Sequence, residues 1–343
     1  MTVTEKIVTM GEIMLRLMTP DFLRIEQTDS FNAIYDGDEA IVSTLLARFG
    51  MNVSYVTKLP NNPLGMACLK RIRAENVDTS FIAAGPGRLG INFYETGVAM
   101  RPPRVIYDRD HSAFADASPE DFNFDAIFTD CTWFHFAGIT PAISDKTARL
   151  TEIAVKTAKK HGVTVSCDLN YRRKLWSPEK AQQFMKPLME FVDVCIGNEE
   201  DSELVLGLKP RNTDHLKGQI DVEGYKDVFQ QMRELYDFKF IGCTLRESYS
   251  ASDNGWSVLC YDGHDFCQSP HYNIRLVDRG GGGAAFAAGF IYGLLNQWQL
   301  QQTTNFAGAA SALKHTIYGG FNLVTLAEVM ELAGGDASGR VQR

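Results

Sequence analysis

Short apolar runs alternate along the chain with longer segments in which apolar residues recur at helical spacing. Seven runs rich in apolar and β-branched residues predict strands at residues 6–10, 53–58, 132–137, 163–168, 192–197, 238–244 and 258–262. Four intervening segments predict helices at residues 38–49, 64–75, 145–161 and 178–192. Strands that alternate with helices usually form parallel sheets covered on both faces, so the pattern predicts an α/β fold with a doubly wound, mostly parallel sheet.

Two segments, at residues 14–35 and 88–109, interrupt this alternation. The second places apolar side chains at alternate positions, Ile91 with Phe93 and Val105 with Tyr107, which is typical of strands with one buried face. We expect the two segments to form a small β-sheet lid that projects from a single domain spanning residues 1–343. A surface hairpin without a binding role is the alternative.

The composition narrows the class of protein. The chain has 343 residues, of which 45% are hydrophobic, and a net charge of −8. This charge argues against nucleic acid or an anionic membrane as the main partner. No apolar run reaches the roughly 18 residues of a membrane helix. The seven cysteines include no CxxC pair and several lie in apolar runs, so we expect reduced thiols and a cytoplasmic location.

Four consecutive glycines, Gly280 to Gly283, lie before an apolar helix predicted at residues 284–297. Glycines let successive N–H groups surround one anion, and a helix N-terminus adds partial positive charge. The run therefore predicts an anion site, with a simple turn as the alternative. A dinucleotide fingerprint is disfavoured because no Asp or Glu occurs between Ala285 and Ala327 to bind a ribose. A Walker-type loop is excluded because the chain has no Gly-Lys pair.

Two polar motifs follow predicted strands. Asp168, Asn170 and Arg172 form a DxNxR motif at the carboxyl end of a strand, where α/β sheets bind their ligands. Asn198 and Asp201 belong to a Gly-Asn-Glu-Glu-Asp segment after the next strand. Taken alone, the first motif is equally compatible with a turn held by its own side chains, and the second with a solvated helix N-terminus.

Residues 277–289 read Val-Asp-Arg-Gly-Gly-Gly-Gly-Ala-Ala-Phe-Ala-Ala-Gly. With the two motifs above, this segment resembles the signatures of ribokinase-like, PfkB-type carbohydrate kinases, most closely the 2-keto-3-deoxygluconate (KDG) kinase branch. The resemblance implies ATP-dependent phosphoryl transfer to a sugar or sugar acid, with ATP and Mg²⁺ as cofactors and a lid over the sugar. It also implies a homodimer formed through the lid.

The resemblance assigns roles to individual positions. Gly281, Gly282 and Gly283 correspond to the anion hole for the transferred phosphate, and Arg172 to a donor that contacts this phosphate or the substrate carboxylate. The substrate-binding positions are Asp36, Gly37, Ile41, Asn92, Tyr107, Arg109, Asp168, Asn170 and Arg172. The ATP-binding positions are Asn198, Thr244, Arg246, Ser248, Asn254, Gly281, Gly283 and Lys314. Asp201 corresponds to a residue that organises water and Mg²⁺ near the phosphates.

The chain departs from the KDG kinase pattern at chemically important positions. The aspartate that takes the proton of the sugar hydroxyl in that pattern is replaced by Ala284. The pattern Tyr-Gly-Gly-Ala-Glu-Ala-Asn reads Tyr-Asp-Gly-Asp-Glu-Ala-Ile at residues 35–41, and a lid tyrosine is replaced by Asn92. We expect the carboxylates of Asp36 and Asp38 to oppose binding of an anionic sugar by about 1–4 kcal/mol.

These departures leave several explanations open. A positioned general base contributes about 10²–10⁴ in rate, so Ala284 predicts impaired phosphoryl transfer. The base position could reflect deliberate removal, a natural pseudokinase, or a second carboxylate that has taken the role. A non-catalytic nucleotide or sugar sensor is the alternative function. Asp278, just before the glycines, is expected to hold the loop by accepting backbone N–H groups.

Overall fold

The computed structural model describes residues 5–211 and 220–339, and the rest of the predicted domain of residues 1–343 lies outside them. The strands are β1 (Lys6–Met10), β2 (Met14–Met18), β3 (Asn32–Asp36), β4 (Asn52–Pro60), β5 (Ile82–Gly85), β6 (Ile91–Glu95), β7 (Arg104–Asp108), β8 (Cys131–Ala137), β9 (Thr164–Asp168), β10 (Val194–Ile196), β11 (Phe240–Ser248), β12 (Asp253–Tyr261), β13 (Phe266–Gln268) and β14 (Tyr272–Arg275). The α-helices are α1 (Asp38–Arg48), α2 (Pro63–Ala74), α3 (Phe124–Phe128), α4 (Ile139–Ala142), α5 (Asp145–Lys160), α6 (Pro178–Leu188), α7 (Glu199–Asp201), α8 (Val222–Tyr236), α9 (Gly282–Leu295), α10 (Leu300–Lys314) and α11 (Leu326–Ala333).

Most strands form one large sheet in the order β13-β12-β11-β10-β9-β8-β1-β4-β5, and β14 also pairs with β12. The seven strands from β11 to β5 are parallel to their neighbours. Antiparallel strands extend the sheet beyond β11. All seven predicted strands occur in this sheet, which confirms the predicted α/β architecture. Because the parallel strands run in one direction, their carboxyl ends share one edge of the sheet.

Helices cover both faces of the sheet. One apolar core includes Leu150 of α5 and Phe229 of α8. The core on the other face includes Leu45 of α1, Phe286 of α9 and Phe306 of α10. The sheet is therefore doubly wound, as the alternating pattern predicts.

A second sheet has four strands in the order β3-β2-β6-β7. Strands β2 and β6 are parallel, whereas the outer pairs are antiparallel. All four strands come from residues 14–36 and 91–108, so the prediction of a separate small sheet is confirmed. Because β2 follows β1 closely and β3 leads through Gly37 into α1, the small sheet lies at the carboxyl edge of the large one.

Several predicted boundaries differ from the structure: β12 begins at Asp253 rather than at residue 258, and α6 ends at Leu188 rather than at residue 192. Helix α9 begins at Gly282 rather than at residue 284, because the Ala285 N–H already donates to the Gly281 carbonyl at 2.9 Å. Strand β11 continues to Ser248, because its pairing with β12 extends as far as Ser248 opposite Asn254. The predicted ATP-binding positions Thr244, Arg246 and Ser248 therefore all lie on this strand.

None of the helices formed by the described residues combines the length and apolar character needed to span a bilayer. All seven cysteines are free, and Cys267 is the one that is not fully buried.

Candidate active site

Two cavities meet at the carboxyl edge of the large sheet. The first, of about 270 Å³, lies against the small sheet, and its lining includes Arg16, Asn92 and Arg109. We call it the small-sheet cavity. The second, of about 450 Å³, lies over the glycine run, and its lining includes Asn198 and Thr244. We call it the glycine-loop cavity. The residues that line both cavities are Asp38, Arg172, Arg279, Gly280 and Gly281.

The glycine run borders the glycine-loop cavity. Gly281 adopts a left-handed conformation with φ of +82°, which favours glycine. A Cβ at Gly282 would lie 2.3 Å from a ring carbon of His315, so a side chain has no space there. The first N–H groups of a helix lack intrahelical acceptors. Because Gly281, Gly282 and Gly283 all line the cavity, the start of α9 is suited to bind an anion.

Asp278 holds the glycine run in place. One carboxylate oxygen accepts the Gly280 N–H at 2.9 Å, and the other accepts the Gly319 N–H at 3.1 Å. The Arg16 guanidinium donates to the same carboxylate at 3.1 Å. The prediction that Asp278 stabilises the loop through backbone N–H groups is confirmed.

Asn170 connects two carboxylates of the site. Its amide nitrogen donates to Asp38 at 3.2 Å and to Asp168 at 3.4 Å. Its φ of +38° lies in a region that is unfavourable for non-glycine residues, and its amide oxygen is buried without a partner among the described residues. Strained residues with unsatisfied polar atoms are enriched at functional sites. The DxNxR motif therefore carries the features of a binding element, beyond those of a turn.

Asp168 and Arg172 occupy different environments within this motif. Burial raises the pKa of the Asp168 carboxyl well above its usual value, and nearby Asp201 and Asp38 raise it further. The Arg172 side chain is 41% exposed and lies 3.9 Å from the Asp38 carboxylate. Arg172 therefore presents its guanidinium at the junction of the two cavities.

The small-sheet cavity contains a buried arginine that sequence reasoning missed. Arg16 contacts Asp36 at 3.4 Å and lies over the Tyr94 ring at 3.9 Å from its centroid. The Asn92 amide also donates to Asp36, at 3.4 Å. Asp36 is expected to oppose an anionic sugar, and its ion pair with Arg16 compensates part of the charge that the sugar would meet. Arg16 lies 20 residues before Asp36 and 262 before Asp278, so no local motif marks it.

Arg109 is likewise paired within the protein. Its guanidinium donates twice to Glu12, with the Nε bond at 2.8 Å, and the Ser112 hydroxyl donates to the other Glu12 oxygen at 2.5 Å. Arg109 is only 5% exposed. The aromatic partner of the predicted pair, Tyr107, lies 5.9 Å from the guanidinium and is 41% exposed. Arg109 therefore keeps some donors for a sugar, but Glu12 already holds its charge.

Gly37 and Ile41 complete the wall shared with helix α1. Both line the small-sheet cavity. Ile41 is 3% exposed, and its terminal methyl lies 3.0 Å from where a Cβ at Gly281 would be. The side chain at this position thus packs against the glycine run and offers no polar contact to a sugar.

The predicted nucleotide-binding residues divide into two groups. Asn198, Thr244 and Arg246 line the glycine-loop cavity together with Gly281 and Gly283. The others, Ser248, Asn254 and Lys314, are absent from its lining. Lys314 donates instead to the carbonyls of Ile317 and Gly319, at 3.1 and 2.9 Å, and burial lowers its pKa to about 8.

Trp256 and His315 form an aromatic wall of this cavity, with ring centroids 4.3 Å apart. Burial lowers the pKa of His315 to about 4, so the ring is neutral at physiological pH. His315 directly follows Lys314, which the resemblance assigns to the nucleotide, whereas Trp256 has no recognisable sequence signal. A neutral imidazole adds no positive charge beside the start of α9, so His315 does not contribute charge to the anion site.

Asp201, the last residue of α7, forms a capping box with Asn198. Its carboxylate accepts the Tyr171 N–H at 2.9 Å and the Asn198 N–H at 3.3 Å. No group of three or more His, Cys, Asp or Glu side chains that could hold a metal ion occurs within residues 5–211 and 220–339. Mg²⁺ commonly keeps several waters and takes phosphate oxygens together with one or two carboxylates. Asp201 and the neighbouring Glu200, which both line the cavity, fit such a water-mediated role.

Comparison with known proteins identifies the family. Residues 4–231 match the model of the pfkB family carbohydrate kinases. A 2-dehydro-3-deoxygalactonokinase from Haloferax volcanii is 32% identical over 338 residues, which cover 97% of this chain and 98% of that protein.

Two solved structures are similar over almost their whole length. The crystal structure of 2-dehydro-3-deoxygluconokinase (KDG kinase) from Thermotoga maritima has a TM-score of 0.93 and 47% identity, covering 96% of this chain and all of the other. A PfkB family carbohydrate kinase from Listeria grayi has a TM-score of 0.89 and 30% identity over 96% of this chain and all of the other. The chain therefore belongs to the pfkB family of carbohydrate kinases.

Proposed function

We propose that the chain transfers the γ-phosphoryl group of ATP to a 2-keto-3-deoxy sugar acid, with low efficiency. The observation that carries this proposal is the junction of the two cavities at Asp38, Arg172 and the glycine run. A sugar in the small-sheet cavity and a nucleotide in the glycine-loop cavity would place acceptor and donor on either side of this junction. Relatives described as 2-keto-3-deoxy sugar acid kinases support this class of substrate.

Binding of the phosphates rests on backbone and arginine donors. The N–H groups at the start of α9 would bind the transferring phosphate, and Arg172 would neutralise charge that develops on it. Arg246 and Arg279 also line the glycine-loop cavity, and neither forms an ion pair within the described residues. Mg²⁺, when bound with the nucleotide, supplies charge neutralisation at the phosphates, and Asp201 and Glu200 would hold its waters.

The reaction is expected to be slow because position 284 carries no proton acceptor. Ala284 is 2% exposed and lies in the apolar core at the start of α9. Most of the acceleration of phosphoryl transfer comes from positioning and electrostatics, so turnover can persist without this base. The loss of a general base is expected to cost about 10²–10⁴ in rate.

The test is ADP production with ATP, Mg²⁺ and either KDG or 2-keto-3-deoxygalactonate, measured for the natural chain and for Ala284→Asp. We expect measurable turnover by the natural chain and an increase in kcat of at least about a hundredfold in the variant, the lower limit of a general base's contribution. If neither protein phosphorylates these or related sugars, the kinase proposal is wrong.

A binding protein on the kinase scaffold is the second candidate. The pairing of Arg16 with Asp36 and of Arg109 with Glu12 favours it, because an anionic sugar must compete for these guanidinium groups. Thermal unfolding with ADP, ATP, KDG and related sugars separates the candidates, because a ligand of the native state raises the unfolding temperature. A shift with ligand but no turnover, even in Ala284→Asp, supports a sensor.

We also propose that the chain forms a homodimer through the small sheet. Phe22 is 55% exposed and Ile106 is 54% exposed on this part of the molecule, which supports an interface there. Light scattering of Ile106→Glu should show a monomer. The control is Leu235→Glu, at a 61% exposed position on α8, which should leave the dimer intact. A natural chain that is monomeric at micromolar concentration would contradict the proposal.

A further inference from the structure

We propose that Asp38 accepts the proton of the sugar hydroxyl in the turnover that the chain retains. This inference rests on the proposed phosphoryl transfer and names the group that replaces the missing base. Asp38 is the first residue of α1, and it is the only carboxylate among the described residues that lines both cavities. A hydroxyl that attacks phosphate across the junction therefore passes beside it.

The carboxylate of Asp38 has an oxygen available for this role. Its Oδ2 accepts the Asn170 amide at 3.2 Å and lies 3.9 Å from Arg172. The structure shows no hydrogen bond to its Oδ1 within residues 5–211 and 220–339, and the side chain is 25% exposed. Asn170 and Arg172 thus orient one oxygen, while the other remains open to a hydroxyl.

The other carboxyl groups near the junction are already engaged. Glu12 is held by Arg109 and Ser112, and Asp278 by two backbone N–H groups and Arg16. Asp36 accepts from Arg16 and Asn92.

Two buried carboxyl groups are protonated too readily to serve as bases. Burial raises the pKa of Glu39 to about 8, and Glu39 also accepts the Thr140 hydroxyl and the Ala137 N–H, at 2.5 and 3.0 Å. Asp168 lines the glycine-loop cavity but not the small-sheet cavity, and it is likewise buried, with a raised pKa. Asp38 is therefore the carboxylate best placed to receive a proton.

The residue types at positions 38 and 284 are the reverse of those in the KDG kinase pattern. That pattern has alanine at the first and aspartate at the second, whereas this chain has Asp38 and Ala284. Both residues lie in the first turn of a helix, and the two helices share one apolar core beside Gly281. The chain thus retains one carboxylate at the junction, on α1 instead of α9.

The step balances with ATP as the co-reactant. The hydroxyl oxygen forms a bond to the γ-phosphorus as the bond from this phosphorus to the bridging oxygen breaks and ADP leaves. The hydroxyl proton passes to the Asp38 carboxylate and then to solvent.

The test uses Asp38→Asn in the natural chain and in the Ala284→Asp chain. In the natural chain we expect kcat to fall about 10- to 100-fold, which is less than the largest rate contribution of a positioned general base. The acid limb of the pH–rate profile should also disappear. In the Ala284→Asp chain, where a second carboxylate serves, Asp38→Asn should lower kcat by a smaller factor than in the natural chain. Calorimetry should show ADP and KDG affinities no weaker than those of the natural chain.

Asp145→Asn is the matched control, because Asp145 is also the first residue of a helix, α5, and its side chain is 92% exposed. It should leave kcat unchanged. An unchanged kcat for Asp38→Asn in the natural chain would overturn the inference while leaving the kinase function intact. Equal losses in both backgrounds, or weaker calorimetric binding, would show a positioning role and also overturn it. An absence of turnover in both parent chains would refute the kinase function itself.

Discussion

The two cavities differ in how their arginines are used. In the small-sheet cavity, Arg16 and Arg109 are buried and form ion pairs with Asp36 and Glu12. In the glycine-loop cavity, Arg246 is exposed and forms no ion pair within the part of the chain that the structure describes. A phosphate can therefore enter the second cavity without displacing a carboxylate, whereas an anionic sugar in the first must share guanidinium groups that are already paired.

The same difference appears in the sequence. The glycine-loop cavity departs from the KDG kinase pattern at Asp201 and, next to its wall, at Ala284. The small-sheet cavity departs from that pattern at four positions: Asp36, Asp38, Ile41 and Asn92. Nucleotide binding is therefore expected to be the better preserved property, and recognition of the sugar the more altered one.

The largest effect is expected at the junction, whose residues belong to both cavities. Arg172→Gln should lower kcat by about 10²–10³, because a charged donor aimed at the transferring phosphate is lost. The exposed Arg149 on α5 supplies a matched control, Arg149→Gln, which should leave kcat unchanged. A rise in KM for ATP at constant kcat would show instead that Arg172 only binds the ground state.

A second effect concerns the interior of the small-sheet cavity. Burial raises the pKa of Glu39 to about 8, so its folded form keeps a proton that the unfolded chain releases near pH 4.5. Its contribution to stability is present below pH 4.5 and is lost as the pH rises towards 8. As the pH rises from 5 to 8, the natural chain should lose about 3 kcal/mol of its free energy of unfolding relative to Glu39→Gln, because the introduced glutamine does not titrate.

Urea denaturation of both proteins at several pH values measures this difference. Taking the difference cancels the contributions of other titrating groups, such as the buried His135 and His315, whose pKa values burial lowers to about 3 and 4. A pH-independent difference would mean that Glu39 is ionised in the folded chain.

The smallest effect is expected from Asp36→Asn, which tests the pairing with Arg16. Removal of the carboxylate leaves Arg16 with Asp278 and makes the cavity more positive, so KDG should bind more tightly, by up to about tenfold. Calorimetry at neutral pH measures the change, with Asp116→Asn at an exposed position as the control. Weaker binding would show that Asp36 contacts the sugar directly.

Much of the fold follows from the sequence because its signals are local. The apolar runs at 6–10 and 163–168 and the periodic segments between them define strands and helices that the large sheet contains. The boundaries at Gly282 and Ser248 were less predictable, because a backbone bond to Gly281 and pairing with β12 set them.

The site was predictable where it consists of short motifs. The glycine run, Asn170 and Arg172 are brought together as expected. The pairing of Arg16 with Asp278 was not, because it joins residues 262 positions apart. Lys314 was assigned to the nucleotide by resemblance, yet its ammonium group binds carbonyls of its own loop.

The most direct test is a crystal structure of the chain with Mg²⁺, a non-hydrolysable ATP analogue and KDG. We expect the γ-phosphate at the N–H groups of Gly281 to Gly283, and a sugar hydroxyl about 2.6–3.2 Å from the Asp38 carboxylate. Nucleotide bound away from the glycine run, or a sugar whose hydroxyls lie beyond the reach of Asp38, would contradict the proposed reaction.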